Sequence, residues 1–145
     1  MKQEMRLEID SIPSNESFAR VVVAAFLTRL NPTMEEVADI KTAISEAVTN
    51  AIIHGYQNEV HKIEITAAVE KDTLTVSVQD FGVGMEDIEK AMQPLYTTRR
   101  DLERSGMGFV FMEAFMDTIN VESKLGAGTK VTMTKKIGRR FDKQE

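Results

Sequence analysis

The sequence predicts one mixed α/β domain, and three observations carry that expectation. Apolar and polar residues alternate through Met5, Leu7 and Ile9, through Ile63, Ile65, Ala67 and Val69, and through Leu74, Val76 and Val78, the period of two that marks strands with one buried face. Between the first of these runs and the second lie two segments with apolar residues at helical spacing, separated by Asn31-Pro32. The chain has 145 residues, enough for one complete hydrophobic core and too few for two ordinary domains, so residues 1–145 are expected to form a single unit.

The elements follow in order. The helix after the first strand is expected to start near Ser14 or Asn15. It is apolar over most of its circumference: Phe18, Val21, Val22, Ala25 and Phe26 supply one side, and Val23, Leu27 and Leu30 lie further round. More than one surface should cover such a helix, and a homodimer that uses it together with the Met5–Ile9 edge is expected. Thr33 and Glu36 form a capping-box signature for the next helix, with Gly55 as its stop. Lys71-Asp72 joins a hairpin whose second strand runs into Asp80. A short amphipathic helix is expected over 86–92, ended by Pro94, followed by a polar, partly basic loop over 93–105 with the length of a lid. A last helix from near Gly106 to about Asp117 precedes strands near 119–122 and 129–135, joined across Gly126-Ala127-Gly128. Residues 138–145 read as a frayed charged tail.

Composition excludes several functions. A formal charge of −5 leaves no basic face to neutralise a run of phosphates, so direct nucleic-acid binding is not expected, and basic partners fit better. With no cysteine there are no disulfides and no thiolate chemistry. The longest purely apolar run, Val21 to Leu27, falls far short of the ~20 residues of a membrane span, and Met1 to Asp10 does not resemble a signal peptide. A cytoplasmic location without membrane association is expected.

The residues that carry chemistry interrupt the apolar pattern. At about 100° per residue, Glu46, Asn50 and His54 fall within roughly 80° of one helical face, while Ile40, Ile44, Ala47, Val48 and Ala51 cluster on another. Taken alone the stripe reads as a solvated face. In a nucleotide site, an amide oxygen such as that of Asn50 can ligate Mg²⁺ where phosphates and waters complete the octahedron. A carboxylate one turn away can act on an attacking hydroxyl. His54, at the helix end, either joins that site or hydrogen-bonds nearby carbonyls. Asp80-Phe81-Gly82-Val83-Gly84 is either a turn or a base-reading loop, in which Asp80 accepts from an exocyclic amine and the glycines let backbone approach the ring. Gly106-Met107-Gly108 at a helix start favours phosphate, with Arg104 and Ser105 beside it. Arg99 and Arg100 read as solvated charges, and Met107, Met112 and Met116 among Phe109, Phe111 and Phe115 as ordinary core.

The order Glu46-x-x-x-Asn50-x-x-x-His54-Gly55, then Asp80-x-Gly82-x-Gly84, then Gly106-x-Gly108, then Gly128-Thr129 resembles the ATP-binding superfamily of DNA gyrase, Hsp90, histidine kinases and MutL. Within it, residues 45–56 and 103–109 resemble the small anti-sigma-factor serine kinases, over almost the whole chain. That resemblance implies a two-layer α/β sandwich, its mixed, mainly antiparallel sheet covered on one face by helices, with Mg-ATP or ADP held between the long helix and the lid. It implies a protein that silences a sporulation sigma factor of the F type and phosphorylates a serine of an anti-anti-sigma factor. By the same resemblance Glu46 is the catalytic base, with Arg104 assisting, and Asn50 ligates Mg²⁺. Asp80 reads adenine with Thr129 in support, and His54, Gly82, Gly84, Thr98, Ser105, Gly106, Met107, Gly108 and Phe109 contribute to the nucleotide pocket. The gyrase-type lysine of a second domain and the histidine-bearing dimerisation helix of sensor kinases have no counterpart in these motifs.

Overall fold

The computed structural model describes residues 1–88 and 108–138. Five strands form one sheet in the order β1 (Gln3–Asp10), β2 (Lys62–Glu70), β3 (Thr73–Asp80), β5 (Gly128–Lys136), β4 (Thr118–Lys124). Helices α1 (Ser14–Leu27), α2 (Met34–Asn50) and α3 (Phe109–Phe115) form the second layer, with α2 packed against both α1 and α3. This is the expected two-layer sandwich. Its sheet is simpler than a mixed one: among the described residues every ladder is antiparallel.

The core forms where the two periodicities meet. Ile63, Ile65, Ala67 and Val69 from β2, Leu74, Val76 and Val78 from β3, and Val131 and Met133 from β5 point to the helices, and all are buried. Ile40, Ala43, Ile44, Ala47 and Val48 of α2 meet them. Each fully buried branched side chain contributes roughly 1.5–3 kcal/mol relative to exposure. The opposite face is polar, with Thr66 and Ser77 hydrogen-bonded across the β2–β3 ladder.

Helix α2 starts with the capping box the sequence predicts: the Glu36 N–H donates to Thr33 Oγ1 (3.0 Å) and the Thr33 N–H to Glu36 Oε1 (2.8 Å). Glu36 Oε2 accepts from the Gly138 N–H at 2.9 Å, joining the helix start to the chain beyond β5. The far end departs from expectation. The α-helix ends at Asn50 and a π-helical turn occupies Ala51–Gly55, where the Tyr56 N–H bonds Ala51 five residues back (2.9 Å). A π turn lodges one extra residue in the helix, and such turns gather at functional sites because they re-aim the side chains that follow.

On α1 the buried residues are Ala19, Val23, Phe26 and Leu27, while Phe18 is 50% and Val21 60% exposed, so a second apolar side stays uncovered among the described residues. One expectation about packing is corrected. On α3, Phe109 and Met112 are core as expected, but Phe111 faces outward. That helix is also shorter than the sequence predicts, because Gly108 in a left-handed conformation (φ 68°) precedes its first residue. The lid, the helix over 86–92 beyond its first residues, and the tail after Gly138 lie outside the described residues.

Candidate functional site

Asp80 continues the inward row of β3 by two residues from Val78, which places a carboxylate where the alternation otherwise supplies core. It is only 5% exposed. Burial pushes its carboxyl above the usual range, and the backbone N–H groups of Gly82 (2.9 Å to Oδ1) and Thr129 pull the other way. An acceptor anchored from behind by backbone, with a cavity in front, is arranged to take a hydrogen bond from a ligand.

That cavity is small and lies between α2 with its π turn and the sheet. Asn50, His54, Asp80, Gly84, Phe109 and Thr129 line it, as do Ala47, Ala51, Gly55, Met85, Val78 and Val131. Six of the residues marked out by the sequence therefore converge on one hollow, from four separate stretches of chain. His54 lines the pocket from within the π turn. Phe109, 1% exposed, forms wall and core at once. The Thr129 hydroxyl meets Ser123 Oγ at 2.7 Å, so its side chain braces the β4–β5 hairpin while its backbone faces Asp80.

Three motif residues lie outside the lining of this cavity. Gly82 lines the neighbouring hollow on the far side of the loop, with Tyr56, His61 and Phe81. A Cβ at position 82 would come within 1.8 Å of the Gly55 carbonyl oxygen, so this glycine serves the close passage of loop and helix end rather than the approach of a base. Glu46 and Gly108 lie beyond the pocket lining and face each other: a Cβ at position 108 would fall 2.2 Å from Glu46 Oε2. Burial pushes the Glu46 carboxyl upward, and the negative charge of Glu16 on α1 adds to the effect. Arg104, Thr98, Ser105, Gly106 and Met107 lie outside the described residues.

Sequence reasoning assigned Ala47 and Ala51 to the core alone and overlooked Met85 and Tyr56. The alanines flank Asn50 at small-residue positions where space can open beside the stripe, a signal available in the spacing. Nothing in the local pattern marks Tyr56. Among the described residues no group of three or more histidine, aspartate or glutamate side chains gathers as a metal site of its own. A divalent ion at Asn50 would thus draw most of its oxygens from a bound nucleotide and water, as Mg²⁺ does.

A helix layer over an antiparallel sheet, with an acidic residue ending the central strand beneath the long helix, defines a class. The family described as Histidine kinase-like ATPase domain matches residues 11–135. Solved structures agree at the level of the fold. The RsbU and RsbW domains of a Mycobacterium tuberculosis protein superpose with a TM-score of 0.67 at 23% identity, covering 93% of this chain and 32% of that one. The catalytic domain of histidine kinase ThkA gives 0.55 at 17% identity, covering 92% and 96%. Sequence relatives are more specific. Proteins named anti-sigma F factor from Clostridium acetobutylicum (57% identical, 94% of this chain and 96% of that one), Thermoanaerobacter sp. strain X514 (60%; 92% and 94%) and Oceanobacillus iheyensis (51%; 96% and 96%) align end to end with it. The chain belongs to the anti-sigma F factor family, within the histidine kinase-like ATPase class. None of its described helices is long and apolar enough to cross a membrane.

Proposed function

We propose that this protein is an anti-sigma factor that sequesters a sporulation sigma factor of the F type and, with Mg-ATP, phosphorylates a serine of its anti-anti-sigma partner. The single observation that carries the reading is the convergence of Asn50, Asp80 and Thr129 on one pocket, with Glu46, beside the lining residue Ala47, facing Gly108. Asp80 accepts from the adenine amine, Asn50 supplies an amide oxygen to Mg²⁺, and the nucleotide, when bound, brings the terminal phosphoryl group. Glu46 takes the proton of the attacking serine hydroxyl, and burial, by raising its carboxyl above the usual range, makes it a stronger base than a free carboxylate. Arg104, Thr98, Ser105, Gly106, Met107 and Gly108 are assigned to the phosphate end by the order of the motifs, with 93–105 as the lid. The decisive experiment offers labelled ATP and Mg²⁺ to the protein together with its anti-anti-sigma partner. Label on a partner serine is the expected result; nucleotide binding without transfer would leave a sequestering module in place of an enzyme.

The same reading includes a second copy of the chain. The uncovered side of α1, with Phe18 and Val21, and the edge position of β1 supply an apolar helix face and a strand with one unpaired side. Sedimentation equilibrium at micromolar concentration should give a dimer, and Val21→Glu should shift it toward monomer.

A further inference from the structure

The loop that presents Asp80 is held by the residues that end the long helix. After Asp80, three successive backbone N–H groups are engaged. That of Phe81 donates to Tyr56 Oη at 2.8 Å, that of Gly82 to Asp80 Oδ1 at 2.9 Å, and that of Val83 to the Gly55 carbonyl at 2.9 Å. The Tyr56 hydroxyl in turn donates to the Lys62 carbonyl at the start of β2. One buried phenol, 6% exposed, therefore links helix end, strand start and base loop. The Phe81 side chain cannot hold the loop by packing, since it is 56% exposed. The His61 ring, 4.9 Å from the Tyr56 ring, closes the site from outside. Burial pushes the phenol's pKa up, so the hydroxyl keeps the proton it gives to Lys62.

We propose that Tyr56 is a positioning residue for base selection: by fixing the peptide between Asp80 and Phe81 it aims the Asp80 carboxylate at a purine 6-amino group. This rests on the reading of the pocket as an adenine-nucleotide site. A carboxylate is acceptor only, so it bonds a 6-amine and repels a 6-oxo group. That discrimination is sharp only while the carboxylate has one direction. Released from Tyr56, the 80–81 peptide can turn, the acceptor loses its aim, and the difference between the two purines shrinks. The π turn is what delivers Tyr56 to this place, since its N–H closes that turn onto Ala51.

The test is Tyr56→Phe in the full chain, titrated calorimetrically with Mg-ATP and with Mg-ITP. Loss of one hydrogen bond to a buried amide should lower ATP affinity roughly tenfold. ITP affinity should change less than twofold, so the ATP-to-ITP ratio falls by nearly the full amount. Equal losses for both nucleotides, or an unchanged ratio, would overturn the role of Tyr56 and leave the adenine site standing. A wild-type protein that binds neither nucleotide, or both alike, would overturn the adenine reading itself. Should the variant not fold, hydrogen exchange on the nucleotide-free wild type decides: the Phe81 amide is expected to be protected despite its exposed side chain, and exchange at the rate of an open loop overturns the tie.

Discussion

The two ends of the pocket are built by different means. At the proposed base end the main chain is tied down: the Phe81 and Val83 N–H groups donate to Tyr56 Oη and the Gly55 carbonyl, those of Gly82 and Thr129 to the Asp80 carboxylate, and Gly82 passes so near Gly55 that no side chain fits between. At the proposed phosphate end side chains do the work: the partly exposed Glu46 and Asn50 project from α2, with Glu46 facing Gly108. The contrast teaches a division of labour. Recognition of a flat, invariant base suits a rigid template, whereas chemistry on a phosphoryl group suits groups that can be tuned by charge and burial.

The largest expected effect lies at the phosphate end. Glu46→Gln should slow phosphorylation of the anti-anti-sigma partner by about 10²–10⁴-fold, the usual worth of general-base assistance. Nucleotide affinity should stay near wild type. Single-turnover rates beside a calorimetric titration check both halves, and loss of ATP binding would show that Glu46 belongs with the template. Next comes a paired test of that template. Gly82→Ala must push a methyl into the Gly55 carbonyl and should cost about 1–3 kcal/mol or more. Gly126→Ala, in the nearby hairpin with no atom close to its Cβ position, should cost only about 1–2 kcal/mol for its positive φ of 83°. Urea midpoints of the two variants measure the difference, and equal midpoints would dissolve the contrast.

Asp80→Asn sharpens it further. The amide oxygen can still accept from Gly82, but the charge that meets the base is gone, so ATP affinity should fall roughly 10- to 100-fold. Stability should not fall with it. The folded carboxyl has a pKa above its unfolded value, so the folded state holds the proton more firmly, and ionisation destabilises the fold as pH rises between the two. Wild type should accordingly lose stability relative to the variant as pH rises through that window, as denaturation at two pH values would reveal. The smallest effect belongs to Glu16→Gln. Removing that negative charge should lower the Glu46 pKa and move the acid limb of the phosphorylation profile to lower pH, because the base works only when ionised. An unmoved limb would mean that burial alone sets it.

Much of this was legible in advance for physical reasons that differ by element. The strands and both long helices announce themselves because each buries one face, and Thr33 with Glu36 names its helix start outright. Asp80 was legible as a polar interruption two residues beyond Val78. The π turn was not, since i→i+5 bonding leaves no periodic trace in five residues. Nor were the purposes of Gly82 and Tyr56, whose partners lie more than twenty residues away in sequence. Local pattern reports which face is buried; it does not report which distant backbone comes to rest against it.

The bond from Gly138 to Glu36 spans 102 positions and completes the cap of the helix that carries Asn50. Thr129, facing Asp80, is likewise contributed by β5, far along the chain from that strand end. During synthesis the Thr129 bond waits for β5 to leave the ribosome, and the Gly138 bond for two residues more. ATP added during refolding is therefore expected to bind late, together with the docking of β5.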